Sequence, residues 1–145
     1  PWISENFSDA WELSYPAAWT ANTAGIHAGS LALTGFYADV PFFATFDYPI
    51  FERMPTSLDA WVAAELATVD EPDVVISDVQ IGATPAKLVL NAPNPTTGIS
   101  EHRLYIWRAE ERNPRLMRLW QDPASPPAPA QMAELMNRLV AGLVF

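Results

Sequence analysis

An α+β fold is predicted by three features of the 145-residue chain. Strand-like segments cluster near the N-terminus, a meander of about four more occupies the second half, and one helix precedes the meander while another follows it. The connectors within the meander are short and turn-rich, too short for a parallel crossover, so its strands pair as antiparallel hairpins. Half of the residues are hydrophobic, 50%, and a chain of this length buries about two thirds of its unfolded surface. One domain spanning 1–145, with one packed core, is the expectation.

The first element is read from "AWELSY", where Trp11, Leu13 and Tyr15 alternate with Ala10, Glu12 and Ser14. That is the period of a half-covered strand. Pro16 removes a ladder donor and should stop it, leaving Trp19 among small neighbours as a plug for the end of the sheet. A second strand is expected over Leu31–Tyr37. A third falls within residues 41–51, and its bounding prolines, Pro41 and Pro49, predict a short edge strand.

The segment "MPTSLDAWVAAELATV" predicts the first helix, capped by Thr56 or Ser57. Asp59 sits in its first turn, where negative charge suits the dipole, and Leu58, Trp61, Val62 and Leu66 form one stripe. The "DEPD" run at 70–73 breaks it. Strands are then expected over 74–81, 86–92, 102–107 and 115–120. A proline-rich approach leads to a closing helix from about Ala130, with Met132, Leu135, Met136, Leu139, Val140 and Leu143 on its core stripe. Glu134 and Arg138 pair at i,i+4 on its wetter side, and Gly142 stops it.

Charge is uneven. Residues 1–100 carry 12 Asp and Glu against Arg53 and Lys87, whereas residues 101–145 carry five acids against six Arg, for an overall −9. A field of that sign repels phosphate backbones, so nucleic acid is not an expected partner. The Arg-containing stretch from 103 to 118 is interleaved with Glu110 and Glu111 and reads as a solvated face. No apolar run approaches the roughly 20 residues that span a bilayer as a helix. The chain begins at Pro1, as expected of a piece whose leader or preceding region lies upstream.

Chemistry-bearing motifs are scarce. There is no cysteine, which removes disulfides, thiolate nucleophiles and cysteine-ligated metals. His27 and His102 lack any zinc-ligand spacing and read as surface histidines, and "HAGSLALTG" lacks the second glycine of a serine nucleophile elbow. The six glycines make no phosphate loop. Asp70, Glu71 and Asp73 lack the glycine and terminal glutamate of a calcium loop and read as a solvated turn. Neither a cofactor nor a metal is expected.

Aromatic residues give the stronger signal. A dense group falls at Phe36, Tyr37, Phe42, Phe43, Phe46, Tyr48 and Phe51. Alternation along a strand cannot hide Phe42, Phe43 and Phe46 on one face, so at least one ring is expected at the surface or in a pocket, where ligands and partners are held. Phe42, Phe43, Phe46 and Tyr48 are therefore the candidate ligand- or partner-binding residues, with no catalytic residue assigned. The expected function is non-catalytic binding of a protein partner or a small apolar ligand. A carboxylate-using hydrolase and a self-associating structural domain are the alternatives.

The strand end "SYPAAW", the helix opening "TSLDAW", the meander segment "ISDVQIGATPAKLVL" and the closing "LVAGLVF" together resemble the PsbP-like family. That family includes the extrinsic P subunit of photosystem II and bacterial exported proteins, and shares its fold with a Ran-binding import factor. The resemblance covers about Phe7 to Phe145. It implies an α/β/α sandwich around an antiparallel sheet, used as a binding or assembly module of an exported or cell-surface bacterial protein. The family's metal-binding and photosystem-binding residues have no counterpart here, and the segment "FYADVPFFATFDYPIF" looks like an insertion particular to this chain.

Overall fold

The computed structural model describes residues 1–6, 11–22, 30–108 and 113–144. Strands β1 (Trp2–Asn6) and β2 (Glu12–Pro16) form an antiparallel pair. β3 (Thr20–Asn22), β4 (Leu31–Tyr37) and β5 (Val40–Asp47) follow, then α1 (Leu58–Glu65). β6 (Val75–Ile81), β7 (Thr84–Pro93), β8 (Ser100–Arg108) and β9 (Asn113–Gln121) make the meander, and α2 (Pro129–Ala141) comes last. The fold is thus mixed α+β, with a seven-stranded antiparallel sheet in the order β3-β4-β5-β9-β8-β7-β6. After β5 the chain crosses through α1 to the far edge, and the meander returns strand by strand until β9 closes against β5.

β5 is an interior strand, not the edge its prolines predicted. Pro41 lies opposite Phe36 at the start of the strand, while the residues that pair with both neighbours run from Phe42 to Phe46. Neither bounding proline occupies that doubly paired stretch, so no ladder donor is missing from it. The β4–β5 connection is a two-residue turn with both residues at positive φ, Ala38 at 49° and Asp39 at 64°. Such a turn matches the right-handed twist of the strands it joins.

Ser57 caps α1, its hydroxyl accepting from the Ala60 N–H at 3.0 Å. The two helices pack against different residue sets of the sheet. Met132, Leu135, Met136 and Leu139 of α2 join Leu13, Tyr15, Phe42, Phe46, Leu104, Met117 and Leu119 in one cluster, to which Trp11 and Trp19 also belong. Trp61 and Val62 of α1 join Val89, Ala92, Tyr105, Trp107 and Leu116 in the other. Alternation along β8 and β9 sends successive residues to the two clusters, so the helices lie on opposite faces.

Trp19 is buried at 5% exposure, as its small neighbours suggested, and its Nε1–H donates to the Phe36 carbonyl at 2.9 Å. The indole lies where a side chain on Gly35 would be, since a Cβ there would come within 2.3 Å of its Cδ1. On α2, Glu134 and Arg138 meet through a third group: the Tyr37 hydroxyl donates to Glu134 at 2.5 Å and accepts from Arg138 at 3.4 Å.

Two expectations about charged groups are corrected. His102 is 4% exposed, inside the sheet rather than at the surface. Its Nδ1 accepts the Asn91 N–H at 3.1 Å, where a bulge in β7 puts Asn91 at a φ of 60°. Burial lowers its pKa to about 4. The arginine stretch is likewise not a solvated face, because Arg103 and Arg115 are 2% and 6% exposed. His27, Glu110, Glu111 and most of the "GIHAGS" loop lie outside the described residues.

Candidate functional site

Period-two alternation divides the four aromatic candidates. Phe42 and Phe46, both 1% exposed, belong to the core cluster beneath α2 and present no surface to a partner. Tyr48, just past the end of β5, is 39% exposed and lies under the Arg115 guanidinium at 4.6 Å from its ring. Phe43 points to the opposite face and is only half-buried. There it stacks on Trp120 of β9, with ring centroids 5.8 Å apart and planes 21° from parallel.

The second face is covered unevenly. α1 lies over β7, β8 and β9 at their Val89, Tyr105 and Leu116 positions. Towards β5, β4 and β3 the same face bears Trp120, Phe43, Thr34 and Thr20, one directly across from the next. Thr20 and Thr34 are exposed, Phe43 and Trp120 half-buried. A hollow of about 260 Å³ opens there, floored by Phe43 and Trp120 and walled by Thr20, Asn22, Thr34 and Thr45.

One step along the strands runs a second cross-strand row: Ala32, Thr45, Arg118, Arg103 and Val89. It begins at the open platform and ends under α1. Midway, Arg103 is held on all sides. Its Nε donates to Glu101 at 2.6 Å, Nη1 to the Tyr105 hydroxyl at 3.1 Å and Nη2 to the Pro93 carbonyl at 3.1 Å. The Glu101 side chain is 3% exposed, and its second oxygen accepts from Asn94 at 3.3 Å. A buried carboxylate and guanidinium paired this way satisfy one another.

Arg118 is not satisfied in the same way. Its Nε is buried and stands 3.7 Å from Glu101, beyond hydrogen-bond length, with no hydrogen-bond partner among the described residues. Thr45 Oγ1, directly across the β5–β9 pairing, is also buried without one. Arg118 Nε keeps only the long ion pair to Glu101, and a buried hydroxyl left unbonded, as at Thr45, costs about 1–3 kcal/mol. Both residues line a second hollow of about 170 Å³, together with Asp47, Asn94, Glu101 and Trp120. Thr45 and Trp120 also line the apolar hollow, so the two adjoin across these side chains.

A wider depression of about 550 Å³ lies between α1 and the segment before it, lined by Phe51, Met54, Pro55 and Trp61. Its aromatic wall is core: Phe51 meets Trp61 edge-on at 5.4 Å, and Trp61 meets Tyr105 edge-on at 4.9 Å. The Phe43–Trp120 region is the better candidate because accessible rings and orphaned polar atoms converge on it. Among the described residues no three His, Asp or Glu side chains gather as metal ligands. Asp70, Glu71 and Asp73 are exposed, and among the described residues no helix is long and apolar enough to cross a membrane.

Sequence reasoning found Phe43 through its place in the aromatic group. It missed Trp120, Thr45 and Arg118, whose only signal is the pairing of β5 with β9, two strands separated by α1, β6, β7 and β8. Compared with known proteins, the chain matches no family model, no curated protein and no solved structure. What fold and site define is therefore a class: an α+β domain whose sheet bears a half-buried aromatic platform beside α1, on a stretch that no described helix covers.

Proposed function

We propose that this chain is a non-catalytic binding domain that holds a small apolar ligand on the Phe43–Trp120 platform. The observation that carries the reading is that pair of stacked, half-buried rings flooring a hollow on a part of the sheet that no described helix covers. Large rings left accessible beside a concave apolar surface are the usual furniture of a ligand site. The proposal includes kinship with PsbP-like domains, as an α/β/α sandwich working in the exported or surface compartment of a bacterium. It is supported by the motif order, by a helix on each face of an antiparallel sheet, and by Trp19 filling the end of the sheet after "SYPAA".

A carboxylate hydrolase is the second reading, because Asp47 and Glu101 line the same small hollow. Their hydrogen bonding argues against it. Glu101 has one oxygen on Arg103 and the other on Asn94, and Asp47 accepts the Ser30 hydroxyl at 2.6 Å. A carboxylate so engaged is poorly placed to carry protons to a substrate.

Titration with the neutral dye Nile red, read by fluorescence, tests the first reading. Wild type and Met54→Ser, a variant of the wider depression, should bind alike, and Trp120→Ser should bind at least 5-fold more weakly. Equal binding by Trp120→Ser and wild type would refute the assignment.

A further inference from the structure

Resting on that reading, we infer that the ligand is a small neutral molecule in which a planar ring adjoins a carbonyl or amide oxygen. Two features of the hollow select this chemistry. The Phe43–Trp120 floor offers ring faces, which favour a planar apolar group in stacked or edge-on contact. Beside it, Arg118 Nε–H and the Thr45 hydroxyl, both buried and without hydrogen-bond partners among the described residues, line one small hollow. Arg118 Nε is a donor only and the hydroxyl can donate, so one acceptor oxygen from a ligand satisfies both.

Local charge decides between a neutral acceptor and a carboxylate. Asp47 and Glu101 line the polar hollow against Arg118. Arg103, the next guanidinium along the row, is consumed by Glu101, Tyr105 and the Pro93 carbonyl. With Glu101 and Arg103 paired to each other, an anion entering there would meet the Asp47 carboxylate beside Arg118, inside a chain of net charge −9. A carbonyl oxygen gains both hydrogen bonds without that repulsion. The sizes agree, since the apolar part, about 260 Å³, is the larger and the polar part, about 170 Å³, the smaller.

The test compares three probes sharing one ring: N-benzylacetamide, toluene and 3-phenylpropanoate. Binding is followed by ¹H–¹⁵N correlation spectra at the Thr45 amide, the Arg118 Nε–H and the Trp120 indole N–H. N-benzylacetamide should bind at least 5-fold more tightly than either other probe and should shift the Arg118 Nε–H resonance. Thr45→Val and Arg118→Met should each reduce that advantage at least 3-fold and leave toluene binding unchanged; peaks elsewhere that do not move report that the fold is kept. Tighter binding of 3-phenylpropanoate, or an advantage that survives in both variants, would overturn the inference. Toluene shifting Trp120 with no gain from the amide would overturn the ligand class alone, whereas no probe shifting Trp120 would overturn the platform as well.

Discussion

Between pH 6.5 and 4 the unfolded chain takes up a proton at His102 and the folded chain does not, because the imidazole is 4% exposed and its Nδ1 already accepts the Asn91 N–H. Its folded pKa lies below its unfolded one, so the unfolded state binds more protons in that window and stability falls as pH falls. A displacement from 6.5 to about 4, at about 1.4 kcal/mol per pKa unit, corresponds to about 3 kcal/mol lost between pH 7 and 4. Nearly all of this loss occurs below pH 6.5, and it levels off below pH 4. The carboxylates titrate near the bottom of the same range, so a single unfolding curve cannot isolate the imidazole. His102→Gln removes the titration and keeps a side-chain oxygen able to accept from Asn91. Urea unfolding of both proteins at pH 7, 6, 5 and 4 gives the comparison. At pH 7 the variant should be less stable by about 1 kcal/mol, and by pH 4 it should be the more stable, the wild type having lost about 3 kcal/mol more. Parallel curves, separated by the same amount at every pH, would refute the buried neutral imidazole.

Three further outcomes are expected. Gly35→Ala puts a Cβ 2.3 Å from Trp19 Cδ1 and must displace a buried indole, so thermal or urea unfolding should show a loss of about 3 kcal/mol. Glu101→Gln leaves the buried Arg103 guanidinium without its counter-charge and should cost about 3–5 kcal/mol in the same assay. Thr45→Val replaces an orphaned buried hydroxyl by a methyl group and should stabilise the free protein by about 1 kcal/mol, even as it weakens binding of the amide probe. If Thr45→Val proves clearly destabilising, the hydroxyl has a partner and the case for it as a ligand donor fails.

The parts of the fold legible in the sequence were those carried by local pattern. β4 spans Leu31–Tyr37, the bounds expected for it, and α1 begins beyond Ser57, one of the two caps proposed for it. β1 and β3 were not anticipated. β3 has only three residues, too few to show a period, and β1 sets Trp2 and Ile3 side by side ahead of three polar residues, with no alternation, and is half-covered at most. β5 was placed at an edge because two prolines bound it, but an edge is a property of pairing, and pairing depends on where the meander ends. His102 was read as a surface residue for the same reason. A histidine is poor evidence of burial by itself, and what gives this one an interior partner is the bulged register of β7 on β8, which sets the Asn91 N–H against its Nδ1. Of the candidate site, the sequence could show that some ring among Phe42, Phe43 and Phe46 must face the other way. Which ring, and that Trp120 and Arg118 would stand beside it, follows only from the register of β5 on β9.

That register also separates what can change from what cannot. On β5 and β9 the residues facing α2, namely Phe42, Ala44, Phe46, Met117 and Leu119, hold the fold together, while Phe43, Thr45, Arg118 and Trp120, interleaved among them, meet the open hollow. If the platform binds as proposed, varying those four positions recasts ligand preference while the α2-facing core residues between them stay unchanged. On the proposed reading, the same two strands serve as foundation on one side and as an interchangeable recognition surface on the other.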